Sequence, residues 1–193
     1  MKRAIDEGRK GHPSPNPHVG AAVVRDGQVV GIGFHERAGM AHAEVAALEK
    51  AGELARGATL YVTLEPCNHT GRTGPCNQAI LAAGIKRVVI GCRDPNPHVD
   101  GGGIEVLRSA GVAVEIGVLE ADARRLVAPW AKYVTTGLPH LSLKLALSLD
   151  GRIASRTGTS KWITGPLARA KVHALRSRHD VVASGPRSRT TPS

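Results

Sequence analysis

The stretch His42-Ala43-Glu44, followed by Ala58-Thr59-Leu60-Tyr61-Val62-Thr63-Leu64, then Pro66-Cys67 and Cys76, decides how this chain folds. His42 to Lys50 carries Val45, Ala46, Ala47 and Leu48 and reads as a helix. Ala58 to Leu64 alternates and is rich in β-branched residues, so it reads as a strand. Asn77 to Ala83 reads as another helix. Helix, strand and helix in that order put one imidazole and two thiols where elements begin and end.

Working outward, Met1 to Lys10 reads as a short helix, broken at Ser14-Pro15-Asn16-Pro17 because proline restricts itself and its predecessor. Val19 to Arg25 and Gln28 to Gly33 flank Asp26-Gly27, a strong two-residue hairpin signal. Further on, Arg87 to Ile90 is expected as a strand, Val106 to Ala110 as a helix and Val112 to Ile116 as a strand. Strands alternating with helices imply an α/β layer with some parallel pairing, and the opening hairpin makes the sheet mixed. Leu119 to Tyr133 reads as a helix leaving this domain. Thr135 to Pro139 reads as a linker, and Leu141 to Leu147 as a new strand.

Composition sets the outer limits. Apolar residues make up 41% of the 193, enough for a buried core, while 3% aromatic content argues against a base-stacking platform. No apolar run approaches the ~18–20 residues that cross a bilayer. Met1 to Gly11 lacks the apolar core of a secretory signal. Three cysteines do not make an even disulfide framework. These features point to a cytoplasmic protein. Cys92 closes the apolar run Val88-Val89-Ile90-Gly91 and is expected as a core thiol. The net charge of +10 lies entirely after residue 120: residues 1–120 hold 13 basic and 13 acidic side chains, residues 121–193 hold 13 and 3. The segment that carries the chemistry is therefore neutral, which argues against nucleic acid as its partner.

His42, Cys67 and Cys76 form a three-donor set for Zn²⁺, one ion per chain, that leaves a fourth position for water. Glu44 is the candidate proton shuttle for hydrolytic deamination. Residues two apart on a helix do not share a face, so His42 and Glu44 converge only on a first turn. A closed four-ligand site, with His69 or His35 as the fourth donor, is the bland alternative. Nucleic-acid and nucleoside deaminases of this kind usually space the cysteines as C-x-x-C. Here eight residues intervene, and they carry His69, Arg72 and Thr73. An arginine there suits an anionic group such as phosphate.

Five segments resemble the RibD family of riboflavin-biosynthesis deaminase/reductases. They are Ser14 to Gly20, Gly31 to His35, His42-Ala43-Glu44, Pro66 to Cys76, and Asp94-Pro95-Asn96-Pro97. Where the family has Thr-Pro-Pro-Cys, this chain has Thr73-Gly74-Pro75-Cys76. The resemblance implies a cytidine deaminase-like three-layer α/β/α domain with a mixed sheet over residues 1–118. A helix and linker would follow over 119–138, then part of a dihydrofolate reductase-like domain over 139–193. It also implies a phosphoribosyl-pyrimidine substrate contacted by Asn16, His35, His69 and Arg72. Lys144 to Ala154, Ser160 to Gly165 and His173 to Arg176 resemble the start of the family's NADPH-dependent reductase domain. By analogy Ser160 and Arg176 would touch substrate and Trp162 would lie near the nicotinamide, in an NADPH site that is incomplete. The polar, basic ending Ala183 to Ser193 reads as a disordered tail of an interrupted domain. A nucleobase or tRNA deaminase, and an inactive interaction module, are the alternatives. A homo-oligomer is left open by the sequence.

Overall fold

The computed structural model describes residues 1–68, 74–97 and 102–184. These fall into two compact units, Met1–His140 and the residues from Leu141 onward. The expected tail beyond Ser184 lies outside the described residues.

The first unit runs α1 (Lys2–Gly8), β1 (Gly20–Arg25), β2 (Gln28–Phe34), α2 (Ala43–Ala51), a 3₁₀ turn (Gly52–Ala55), β3 (Thr59–Leu64), α3 (Cys76–Ala82), β4 (Arg87–Cys92), α4 (Gly103–Ser109), β5 (Ala113–Ile116) and α5 (Glu120–Thr136). The five strands form one sheet in the order β2-β1-β3-β4-β5. β1 is antiparallel to both β2 and β3, whereas β3, β4 and β5 run parallel. The mixed sheet expected from the hairpin is present. Asp26 and Gly27 both take positive φ, 49° and 75°, and join β1 to β2 with Arg25 opposite Gln28. Positive φ at both central residues is what a tight hairpin between right-twisted strands requires.

Helices cover both faces. α2 packs on β1 and β2 and continues into α3 and α4, while α1 and α5 lie together on the other face. The packing between β2 and α2 is close. A Cβ on Gly33 would run into the carbonyl of Ala43, and one on Gly31 into that of Ala47. Only bare glycine backbone lets the helix sit so near the strand. The core of this unit includes Leu60 and Val62 of β3, Val88 and Ile90 of β4, Ile80 of α3, and Ile104 and Leu107 of α4, all fully buried. Each contributes roughly 1.5–3 kcal/mol by leaving water.

The strand and turn registers bring one end of the sheet into focus. Ala21 pairs with Val62, and the Gly20 N–H donates to Thr63 Oγ1 at 3.1 Å. The start of β1, the end of β2 and the C-terminal end of β3 therefore share one edge. Catalytic loops in open α/β sheets collect at such strand ends.

The second unit departs from expectation. Leu141 to Leu147 is not a strand, and among the described residues this unit has one regular element, α6 (Pro166–Arg176). The alternation is in the sequence, but a strand exists only when its N–H and C=O groups find a partner strand. Leu141, Leu143, Leu145 and Leu147 stay exposed, Leu143 at 86%. The linker also starts later than expected, because Thr135 and Thr136 complete α5 before Gly137 ends it in a left-handed turn.

Candidate metal centre and active site

His42 is the N-cap of α2, with extended backbone (φ −69°, ψ 159°), and Glu44 is the second residue of the helix. The difficulty posed by a two-residue spacing on one helix disappears, since His42 stands outside the helical turn. Cys67 follows the end of β3 by three residues, and Cys76 is the first residue of α3. Gly103, opening α4, lies so close that a Cβ would meet the Pro66 carbonyl, so the chain leaving β3 is packed from behind.

These elements bring the three sequence-identified donors together. His42 Nδ1 is 3.1 Å from Cys76 Sγ and 3.6 Å from Cys67 Sγ. All three donor atoms lie within 4.8 Å of one another. Zinc bonds of about 2.0–2.3 Å in a tetrahedron separate neighbouring donors by roughly 3.5–3.8 Å, so the set fits this ion. The Cys76 N–H donates to Cys67 Sγ at 3.3 Å. A hydrogen bond from the Cys76 thiol, aided by His42, holds the Cys67 thiol well below its ordinary value. The same interaction, with burial, pushes Cys76 up. Two sulfurs this close are both thiolate only with a cation between them.

Glu44 is 4% exposed. Burial pushes its carboxyl up to about 7, and its hydrogen bond to Cys76 works against that shift. The hydrogen bond to Cys67 raises His42, opposed by burial. The carboxyl thus sits beside the donor set rather than joining it.

Two of the expected substrate contacts are also at this edge. His35 Nδ1 donates to the Ala41 carbonyl at 3.1 Å, which leaves Nε2 to accept from Asn16 Nδ2 at 3.0 Å. Burial pulls His35 downward, so the ring is held neutral. Its ring meets that of His42 edge-on at 5.2 Å. With Nδ2 spent on His35, the Asn16 carbonyl oxygen is directed to other donors. His69 and Arg72 lie outside the described residues. In the second unit the Arg169 guanidinium stacks 4.1 Å over Trp162. Ser160 and Arg176 are exposed there.

Sequence reasoning missed three supports of the site. They are the Thr63 hydroxyl that anchors Gly20, the Ala41 carbonyl that fixes the His35 tautomer, and Asn77 beside Cys76. The first two depend on pairings between distant segments. Asn77 carried a weak signal, a polar residue in the first turn of a buried helix.

A mixed sheet between helical layers, with a His/Cys/Cys set and a buried carboxyl at one edge, defines a domain of the cytidine deaminase-like fold with the donor set of a zinc-binding region. Residues 1–92 match the cytidine and deoxycytidylate deaminase zinc-binding region, and residues 139–190 match the RibD C-terminal domain. The riboflavin biosynthesis protein RibD of Aquifex aeolicus is 54% identical over 187 residues, 96% of this chain and 52% of that protein. RibD of Acinetobacter baumannii superposes with a TM-score of 0.82 at 50% identity, covering 92% of this chain and 51% of that one. The Thermotoga maritima diaminohydroxyphosphoribosylaminopyrimidine deaminase/5-amino-6-(5-phosphoribosylamino)uracil reductase superposes at 0.84 with 51% identity, covering 91% and 51%. The chain belongs to the RibD family and spans about half the length of these relatives.

Proposed function

We propose that this chain hydrolytically deaminates 2,5-diamino-6-(5-phosphoribosylamino)pyrimidin-4(3H)-one to 5-amino-6-(5-phosphoribosylamino)uracil. The observation that carries this is the meeting of His42, Cys67 and Cys76 beside the buried Glu44 carboxyl. The RibD likeness supplies the substrate. In this reading His42, Cys67 and Cys76 hold the zinc. The ion lowers the pKa of water toward neutrality when bound.

Glu44 does the proton work. Its carboxylate accepts a proton from the attacking water and passes it to the ring nitrogen beside the amine-bearing carbon. Glu44 then takes the second proton from the added hydroxyl, whose oxygen becomes the new carbonyl oxygen, and gives it to the departing amine; the carbon–nitrogen bond breaks and ammonia leaves. Burial of Glu44 keeps bulk water from short-circuiting this transfer. Asn16 orients the pyrimidine through its free amide oxygen, and His35 holds Asn16. His69 and Arg72, in the inter-cysteine loop, are assigned to the phosphoribosyl part, where a guanidinium matches phosphate.

The deaminase domain is taken as residues 1–118, followed by the helix and linker of 119–138. In the reductase-type part, residues 139–193, Ser160 and Arg176 are read as substrate contacts and Trp162 as a neighbour of the nicotinamide.

The deciding experiment incubates purified full chain with the diamino substrate and measures ammonia release alongside metal content. About one zinc per chain together with stoichiometric ammonia supports the assignment. Zinc-loaded protein that releases no ammonia overturns it.

A further inference from the structure

We infer that a basic cleft at the opposite end of the sheet from the zinc donors binds a phosphate group, carried by free phosphate or by a small phosphate monoester. The cleft lies where the β1–β2 hairpin meets the starts of β3 and β4, and its volume is about 720 Å³. Arg25, Arg56 and Lys86 line it, with Asp26, Gly57 and Gly84. β3 separates it from the donor set. The strand starts at Thr59 in the cleft and ends at Leu64, three residues before Cys67, a run of roughly 17 Å at about 3.3 Å per residue.

In this cleft the backbone forces like charges together. The Gly57 N–H donates to the Gly84 carbonyl at 2.8 Å, and the Lys86 N–H to the Ala58 carbonyl at 3.1 Å. The two turns are thus tied, and each lays its cation beside the other's glycine. Arg56 Cγ and Nη1 come within 3.4 and 3.5 Å of the place a Cβ on Gly84 would take, and Lys86 Cε lies 4.0 Å from that of Gly57. Both glycines have positive φ, 69° and 77°, so larger residues are disfavoured there and the cations keep their room. Arg56 and Lys86 are exposed, and neither side chain has an ion pair or hydrogen bond among the described residues. Arg25 pairs with the neighbouring Asp26 at 3.7 Å.

Three cations against one carboxylate leave these side chains with a charge of +2. Like charges held in one concavity repel until a counter-ion enters. A phosphate monoester loses its second proton at about pH 6, so at neutral pH it brings about two negative charges on three acceptor oxygens. The planar Arg56 fork can grip two of those oxygens while Lys86 supplies a point charge. A carboxylate offers half that charge.

The test follows backbone amide resonances of the full zinc-loaded chain by NMR while inorganic phosphate replaces chloride at constant ionic strength. The Gly57 and Gly84 amides should shift saturably. Arg56→Gln and Lys86→Gln should each weaken binding roughly 3- to 10-fold, and the double variant should abolish it. Glycerol 3-phosphate separates the two sources: tighter binding than inorganic phosphate assigns the cleft to a monoester, and equal or weaker binding to free phosphate. Shifts at Gly57 and Gly84 that never saturate, that chloride reproduces, or that survive the double substitution overturn the proposal. So do saturable shifts confined to the surroundings of Asn16, His35 and His42, which would put the anion at the other end of the sheet. None of these outcomes depends on ammonia release, so the cleft stands or falls apart from the deaminase assignment.

Discussion

Glu44 and Cys92 show how burial gives two ionisable residues opposite uses. Glu44 is enclosed beside the His42, Cys67 and Cys76 donor atoms, so replacing it with glutamine nearly keeps its shape but removes the proton carrier proposed above. Glu44→Gln should bind zinc normally and lose turnover by roughly 10²–10⁴, the range of a lost general acid–base. Steady-state ammonia release with metal analysis reads both, and retained turnover removes Glu44 from the mechanism. Cys92, the last residue of β4, is buried, and its thiol donates to the Thr63 carbonyl at 3.4 Å. Burial pushes it up to about 11 from an ordinary value of 9.0. The proton therefore leaves the unfolded chain first as pH rises. Stability from this thiol is complete below pH 9 and is lost between 9 and about 11. Chemical denaturation of wild type and Cys92→Ala across that window should show the steeper decline in wild type. Parallel declines would contradict it.

At the scale of elements, the approach of α2 to β2 is what aims His42 and Glu44. Gly33 lies under the first turn of α2, where a side chain would meet backbone at Ala43 and Ala47. Backbone cannot swing aside as a side-chain tip can. Gly33→Ala should lower stability by about 1–3 kcal/mol, the usual range for overpacking. It should also tilt the helix start and weaken zinc retention against a competing chelator. An unchanged melting temperature with unchanged retention would show that the packing is slacker than the contacts imply. The glycines were visible in Gly31 to His35, but only as a matching segment. Their reason, a helix lying directly on bare strand backbone, became visible when strand and helix were paired.

For the whole molecule, the contrast between its two units is decisive. The first is stapled by a sheet with helices on both faces. After His140, no described residue is buried, and the leucines of 141–147 face outward. A segment without a core has little to hold it against local opening. Limited proteolysis should cut the chain after Gly137 and leave a product that keeps zinc and ammonia release. A chain that resists cleavage through Lys144 and Arg152 would show that the second unit is packed after all. By the same reasoning, adding NADPH to the deaminase assay should produce no NADPH oxidation; oxidation dependent on the deaminated product would reverse that expectation.

The sequence by itself determined the hairpin and the order of strands and helices through residue 116, and singled out His42, Cys67, Cys76 and Glu44, which the fold brings together, because each is a local signal: residue type, turn chemistry or periodicity. It failed at Leu141 to Leu147, where periodicity describes a strand's faces but cannot furnish its hydrogen-bonding partner. Tertiary structure alone decided that His42 stands outside its helix, that Ala41 sets the His35 tautomer and that Asn77 reaches Asn68. Those outcomes depend on which distant backbone groups arrive at the same sheet edge, and no residue carries that information in its neighbours along the chain.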